Sequence, residues 1–315
     1  MLDIVMTTFN SARFVGPQVD SIVNQAELPW NLYISDDAST DGTREIVRNY
    51  SHRFSDKIFD VSPERPFRDI NAHIQYVAKQ TRSPYIMFAD HDDIWLPGKI
   101  SLLFNRIKVM EQTYGTQTPC LAHSDLSVVD NELKVMDTSF WHYESVRPTP
   151  HRVERLLFQN SVTGCATIVN RSLLEKSMPF PQNIIMYDWW LGLVAGALGQ
   201  IEAVLTPTVL YRQHHHNTMG ARRVQGLNYY KGGDKTLLNW SLAKALVYGR
   251  LSATQVQAEA LLSTFNADLS ARVRDALDAY VHLAESSWTR RRWTAIRYGY
   301  FTGSLQNILA MLLFL

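Results

Sequence analysis

The 315-residue chain is 46% hydrophobic and 19% charged, apolar enough to bury a substantial core and far from the composition of a disordered chain. Its 31 basic and 30 acidic side chains leave a formal charge of +1, so no global field recruits nucleic acid and any polyanion contact is confined to a local patch. The two cysteines, Cys120 and Cys165, lie in separate apolar runs without metal-ligand spacing and are expected as reduced, buried thiols of a reducing cytosol. The first run, Leu2–Met6, has neither the basic lead nor the apolar core of a secretory signal.

In chain order, the pattern predicts strands at Leu2–Thr7, Leu32–Ser35, Lys57–Val61 and Pro84–Ala89. Helices near Arg13–Gln25, Asp41–Tyr50 and Ile70–Thr81 alternate with them, the order of a sheet covered by helices. Segments that follow such strands fall at their carboxyl ends, where open α/β sheets place ligand crevices. Thr7, Thr8, Phe9 and Asn10 follow the first strand, and Asp36–Thr43 follows the second. A pyrimidine offers an N–H donor and a flat face, which an acceptor such as Asp37 and an aromatic wall such as Phe9 would suit. Asx turns at Asp36 and Asp37 and a helix cap at Ser39 or Asp41 are compatible with that use. The proline-punctuated segment Ser62–Arg68 reads as a solvated loop, with Arg65 and Arg68 outside any site.

Asp90, Asp92 and Asp93 then crowd three carboxylates into four residues directly after an apolar run. Two ionised carboxylates about 4 Å apart repel by roughly 1 kcal/mol in water and about 4 kcal/mol at an effective dielectric near 20. A divalent ion reverses that repulsion, and Mg²⁺ and Mn²⁺ both suit oxygen ligands. The plainer alternative is an acidic lead into the helix predicted at Pro97–Met110. A strand at Pro119–Val129 carries His123, Ser124 and Asp125 as expected core groups, and Asp137–Pro150 reads as an aromatic loop able to stack on sugars or to serve only as packing. Asn160–Arg171 reads as a turn feeding a buried strand, with Gly164 permitting close backbone approach. Asp188 opens an apolar helix, either as its cap or as a desolvated base beside Trp189 and Trp190.

After a strand at Ile201–Leu205, the segment Leu210–Gly220 gathers Arg212, His214, His215 and His216. Consecutive residues of an extended segment point to opposite faces, so the three histidines cannot form one zinc site. Beyond about Gly226, helices are expected at Leu237–Gly249, Ala253–Phe265 and Leu269–Glu285, a helical appendage. Trp288–Leu315 brings arginines and aromatics to an apolar tail too short to span a bilayer. It suits an interfacial helix on an anionic membrane, or else a helix docked on its own domain or a partner subunit.

The acidic run with Ile94-Trp95-Leu96-Pro97, the upstream Asp36-Asp37-Ala38-Ser39-Thr40-Asp41 segment, the Asp188-Trp189-Trp190 segment and Tyr211-Arg212-Gln213-His214 stand in an order that resembles family 2 glycosyltransferases. The likeness is to the rhamnosyltransferase-like branch and covers about residues 2–220. It implies an α/β fold of GT-A (Rossmann-like) type, a mixed sheet flanked by helices with a C-terminal helical appendage, divided at residues 1–225 and 226–315. It implies an inverting, metal-dependent transfer of a sugar from a nucleotide-sugar donor, dTDP-L-rhamnose foremost or a UDP-hexose. The acceptor would be a lipid-linked or polysaccharide hydroxyl, met at the anionic inner face of the plasma membrane by a cytoplasmic, peripherally associated enzyme. By the same resemblance Asp188 is the catalytic base, and Thr7, Phe9, Asp37, Asp92 and Arg212 bind the donor nucleotide. Asp93, Asp92 and His214 hold Mg²⁺ or Mn²⁺, and Thr163, Gly164 and Trp189 border the sugar or acceptor. A homo-oligomer is compatible with this reading, and nucleic acid is not a partner. A non-catalytic nucleotide-sugar-binding scaffold would be expected to lack Asp188 or Asp93, and a nucleotidyltransferase to carry a Gly-rich basic loop where Thr7–Ser11 stands.

Overall fold

Alternation of side chains along each strand decides which of two apolar layers it feeds, and the first strand does so plainly: Leu2, Ile4 and Met6 enter one core and Val5 the other. The computed structural model describes residues 1–26, 28–149, 152–215, 217, 220, 221, 240–300 and 312. Its strands are β1 (Leu2–Thr8), β2 (Trp30–Asp36), β3 (Ile58–Asp60), β4 (Tyr85–Ala89), β5 (Ile94–Trp95), β6 (Cys120–Val129), β7 (Val135–Asp137), β8 (Thr167–Asn170) and β9 (Gln200–Arg212). They form one mixed sheet in the order β3-β2-β1-β4-β8-β6-β9-β5, with β7 paired to β6. β3, β2, β1 and β4 are parallel, while β8 is antiparallel to both of its neighbours.

The helices are α1 (Val15–Val23), α2 (Thr43–Arg53), α3 (Ile70–Ala78), α4 (Lys99–Tyr114), α5 (Phe140–Tyr143), α6 (Val153–Phe158), α7 (Arg171–Ser177), α8 (Tyr187–Leu198), α9 (Trp240–Phe265), α10 (Ala271–Val281) and α11 (Trp288–Tyr298). Val15, Val19 and Ile22 of α1 and Leu103, Ile107 and Met110 of α4 join one core. Ile74 and Val77 of α3 join the other, where Trp190, Leu193 and Val194 of α8 meet Leu261, Leu277, Tyr280 and Ala295 of the last three helices. The carboxyl-terminal helices therefore share a core with the layer that covers the sheet.

Three of the departures from the sequence reading have a plain physical reason. β9 runs thirteen residues rather than stopping at Leu205, because it absorbs Pro207 in an irregularity: Ser124 pairs with Val204 and Asp125 with Pro207. A residue without an N–H cannot donate to a ladder, so the register slips there and the strand resumes. The two helices expected on either side of Gly249 are one helix, α9; an isolated glycine costs about 1 kcal/mol, which packing overrides. The aromatic segment after Asp137 contains the short helix α5, whose Ser139 side chain caps it by accepting the His142 N–H. Leu237 and all of the tail beyond Tyr300 except Leu312 lie outside the described residues.

Candidate active site

Parallel pairing sets the carboxyl ends of β1, β2 and β4 side by side, with Thr8 opposite Asp36 and Met6 opposite Ala89. At that edge the Thr8 hydroxyl donates to Asp36 (2.9 Å) and Asp36 accepts the Ser39 N–H, which closes the turn after β2. Asp37 points the other way. Its two oxygens accept the backbone N–H groups of Phe67 (2.6 Å) and Arg68 (2.9 Å), drawing the loop after β3 to the rim. Arg68, expected in a solvated loop, thereby lines a cleft of about 1060 Å³ together with Thr7, Phe9, Asp37 and His73. Phe9 presents its ring at 57% exposure. His73, which the sequence reading passed over, contacts the Ser35 hydroxyl at 2.7 Å and stacks on Phe67.

The acidic run is fixed from its far side. β5 pairs antiparallel with β9, Ile94 opposite Leu210, which brings the end of β9 under the run. Asp93 is wholly buried; one oxygen accepts the Arg212 N–H (3.0 Å), and Oδ2 has no hydrogen-bond partner among the described residues. The Arg212 side chain is spent on backbone, donating from Nε to the Asp92 carbonyl and from Nη1 to the Asn131 carbonyl, both at 2.7 Å. His214 Nε2 meets Asp92 Oδ2 at 2.8 Å, its ring stacked on Phe14, and Asn217 donates to the same oxygen. The cleft wall itself carries Asp90, His91 and Asp92, whereas Asp93, Arg212 and His214 stand behind it. The sequence reading assigned Asp93, Asp92 and His214 to the metal and Arg212 to the donor; in the structure Arg212 and His214 brace Asp92, and Asp90, half-buried, lines the cleft beside it.

Burial raises the Asp90 pKa to about 6, with Asp92 adding to the effect, and it raises that of Asp93 well above the usual carboxylate range, helped by both neighbours. Burial opposes the charge on Asp92, but the His214 hydrogen bond, the nearby His91 and His214 charges and a backbone hydrogen bond together outweigh it and the pKa is lowered. Ligand atoms of Asp90, Asp93 and Cys165 lie within 4.8 Å of one another. The Asp90 and Asp93 carboxylates are hard oxygen ligands of the kind that fit Mg²⁺ or Mn²⁺, and Asp93 Oδ2 is buried without a donor among the described residues, whereas the Cys165 thiol is a soft ligand that suits neither ion. Lys99 lies beneath, wholly buried, its ammonium 3.9 Å from the Trp95 ring centre and bonded to the Cys165 carbonyl. Burial lowers its pKa to about 7. Its spacing with Leu103 and Ile107 on one face of α4 was the signal that could have marked it as inward.

Across the cleft, α8 is capped at Met186, so Asp188 is an acid of the first turn and not the cap. Asp188 Oδ2 accepts the Gly164 N–H at 2.9 Å and Oδ1 accepts the Asn160 amide at 3.2 Å. Burial raises its pKa to about 7 against those hydrogen bonds, a value poised for proton transfer at neutral pH. A Cβ on Gly164 would lie 2.1 Å from the Tyr187 hydroxyl, so only glycine lets this backbone reach the carboxylate. Thr163 and Trp189 also line the cleft, the indole fixed by donating to the Leu156 carbonyl. Phe140 of α5 and Arg250 of α9 complete this end. Asn160, Tyr187 and Arg250 were not singled out from sequence, since what matters about them is contact across distant segments.

The model of the family described as "Glycosyl transferase family 2" matches residues 3–175. The chain belongs to glycosyl transferase family 2. This transferase is 25% identical over 232 residues to the dTDP-rhamnosyl transferase RfbG of Shigella flexneri, spanning 69% of this chain and 74% of that protein. It is 23% identical over 191 residues to the UDP-Glc:alpha-D-GlcNAc-diphosphoundecaprenol beta-1,3-glucosyltransferase WfgD of Escherichia coli, spanning 60% and 68%. Against mycobacterial relatives of 23% identity it spans 59% of their length. Its fold is that of S. aureus TarS residues 1–349, at a TM-score of 0.54 and 13% identity in the complex with UDP-GlcNAc, covering 95% of this chain and 92% of that one. The mixed sheet flanked by helices is accordingly of GT-A type, with carboxyl-terminal helices added.

Proposed function

We propose that this family 2 transferase moves a sugar from a nucleoside diphosphate donor to a hydroxyl of a lipid-linked or polysaccharide acceptor at the cytoplasmic face of the membrane, with inversion. One observation carries the reading: a single cleft is lined by Asp90 and Asp92 and also by Asp188, its pKa about 7. Donor and acceptor groups would meet between them.

In the proposed reaction the acceptor hydroxyl docks against Asp188, whose orientation is set by Gly164 and Asn160. Asp188 takes the hydroxyl proton as the acceptor oxygen attacks the sugar carbon and the bond to the diphosphate breaks on the opposite face. Phe9 and Asp37 would receive the base, with Thr7 and Arg68 beside them. Asp90 and Asp92, with Asp93 behind, would hold Mg²⁺ or Mn²⁺, which when bound supplies positive charge to the departing diphosphate. His214 and Asn217 keep Asp92 ionised and aimed.

The likeness to RfbG favours dTDP-L-rhamnose as donor. A UDP-hexose is the second reading, favoured by the likeness to WfgD. Calorimetric titration with dTDP-rhamnose, UDP-glucose, UDP-galactose, UDP-N-acetylglucosamine and GDP-mannose, each with Mn²⁺, Mg²⁺ or chelator, tests both. Metal-dependent binding of dTDP-rhamnose alone is expected. Selective binding of a UDP-sugar would replace the donor assignment, and failure of every donor with folded protein would overturn the catalytic reading in favour of a scaffold.

A further inference from the structure

The last described helix, α11, has two unlike sides. Thr294 and Ala295 face the core, and Ala295 is wholly buried. Trp288, at the first turn, and Ile296 and Trp293, turned away from Ala295, are 62%, 60% and 57% exposed, three large apolar side chains on one short helix. At 100° per residue, Trp288, Arg292 and Ile296 form one row and Trp293 with Arg297 the next. The Arg292 guanidinium lies 3.6 Å from the Trp288 ring centre, and that of Arg297 lies 4.9 Å from Trp293. The helix holds four arginines and no acid. One of them, Arg291, is turned inward, donating to the Ser286 carbonyl and the Tyr248 hydroxyl.

From these observations we infer that the outward face of α11 is a docking surface for an anionic phospholipid bilayer, on which the helix lies flat with Trp288, Trp293 and Ile296 sunk to headgroup depth. Tryptophan and arginine together are the side chains that favour that depth, an amphipathic ring with a cation held at its level. Among the described residues no helix is long and apolar enough to cross a membrane. A second copy of the same face is a poorer occupant, because a two-fold contact would set two arginine-rich helices against each other. Tyr248, which receives Arg291, lies on α9, the helix that also brings Arg250 to the cleft. The surface itself does not rest on the transferase reading.

The test is co-sedimentation of the full chain with vesicles of phosphatidylcholine alone or mixed with phosphatidylglycerol, at low and high ionic strength. Binding to the anionic vesicles is expected, weakened by salt. Since each basic residue contributes on the order of a factor of five near an anionic leaflet, Arg292→Glu with Arg297→Glu should lower partitioning by well over tenfold. The triple change Trp288→Ser, Trp293→Ser, Ile296→Ser should do the same, with melting temperature and donor binding unchanged because all three side chains are exposed. Trp288→Phe with Trp293→Phe keeps the apolar face, so it should retain binding and lose most of the fluorescence quenching by brominated phospholipids. Absence of binding to anionic vesicles overturns the proposal. So does wild-type binding by the charge-reversed and serine variants, which would place the contact elsewhere, and so does unaltered quenching in the phenylalanine pair. Donor titration of the same preparations separates failure of this surface from failure of the transferase assignment.

Discussion

Replacing Asp188 by Asn should make the protein slower and, at alkaline pH, more stable. The carboxylate has a pKa of about 7 where an exposed aspartate has 3.8. At 1.36 kcal/mol for each tenfold, the fold disfavours the ionised form by roughly 4 kcal/mol. The sign follows from linkage: the folded pKa lies above the unfolded one, so stability is greatest below about pH 4 and is lost as pH rises to 7, after which the penalty is constant. Asparagine carries no charge and escapes that penalty. It has one acceptor oxygen where Asp188 uses two, for Gly164 and for Asn160, so one hydrogen bond is forfeited at about 1 kcal/mol. The net gain is about 3 kcal/mol above pH 7, or roughly 6 °C in melting temperature for a chain of this size, and it shrinks to nothing or reverses near pH 4. Turnover should fall about 10² to 10⁴-fold with donor affinity nearly unchanged. Calorimetric melting from pH 4 to 9, with initial rates on a lipid-linked acceptor, reads both effects. A variant that retained near-normal turnover, or that melted with the wild type at pH 8, would refute the assignment of a strained, proton-accepting carboxylate.

In the wild-type enzyme, kcat/KM should rise about tenfold per pH unit up to about 7 and then level, and a flat acid limb would point to another base. Gly164→Ala should lose activity and about 1 to 3 kcal/mol of stability, since its Cβ would collide with the buried Tyr187 ring; an unchanged melting temperature would show that the chain relaxes there. Saturating Mg²⁺ or Mn²⁺ at about a hundred times its dissociation constant should stabilise the fold by about 2.7 kcal/mol, an effect that chelator removes. His214→Ala should weaken that metal about 10 to 100-fold by releasing Asp92, which metal titration measures. Phe9→Ala should weaken donor binding about tenfold, the loss of one stacked ring, without altering the melting temperature because the side chain is exposed.

Much of the fold was legible because local pattern and sheet geometry agree. The alternation of Leu2, Ile4 and Met6 against Val5 fixes a strand between two layers, and a strand followed by Thr7-Thr8-Phe9-Asn10 places those residues at the sheet edge whatever lies beyond. Asp92, Asp188, Gly164 and His214 could be proposed for a related reason: carboxylates crowded after a strand, an acid heading an apolar helix and a basic segment stand in an order that resembles the family's, and the structure sets all but His214 on one cleft. What the order of residues could not state is depth. Asp93 and Asp90 are three positions apart in the same run, yet one is wholly buried against the Arg212 backbone and the other lines the cleft, because β5 pairs with β9 across more than a hundred residues. The same holds for Asp37, tied to the loop at Phe67 and Arg68, and for Lys99, a basic residue sealed beneath the acids. The sequence by itself determined the alternating elements, the chemical kinds of group at the sheet edge and their order. Only the tertiary structure decided which oxygen faces the cleft, which is spent on a neighbour and how far each proton affinity moves, because desolvation and hydrogen bonding are set by what folds over a residue and not by what stands beside it in the chain.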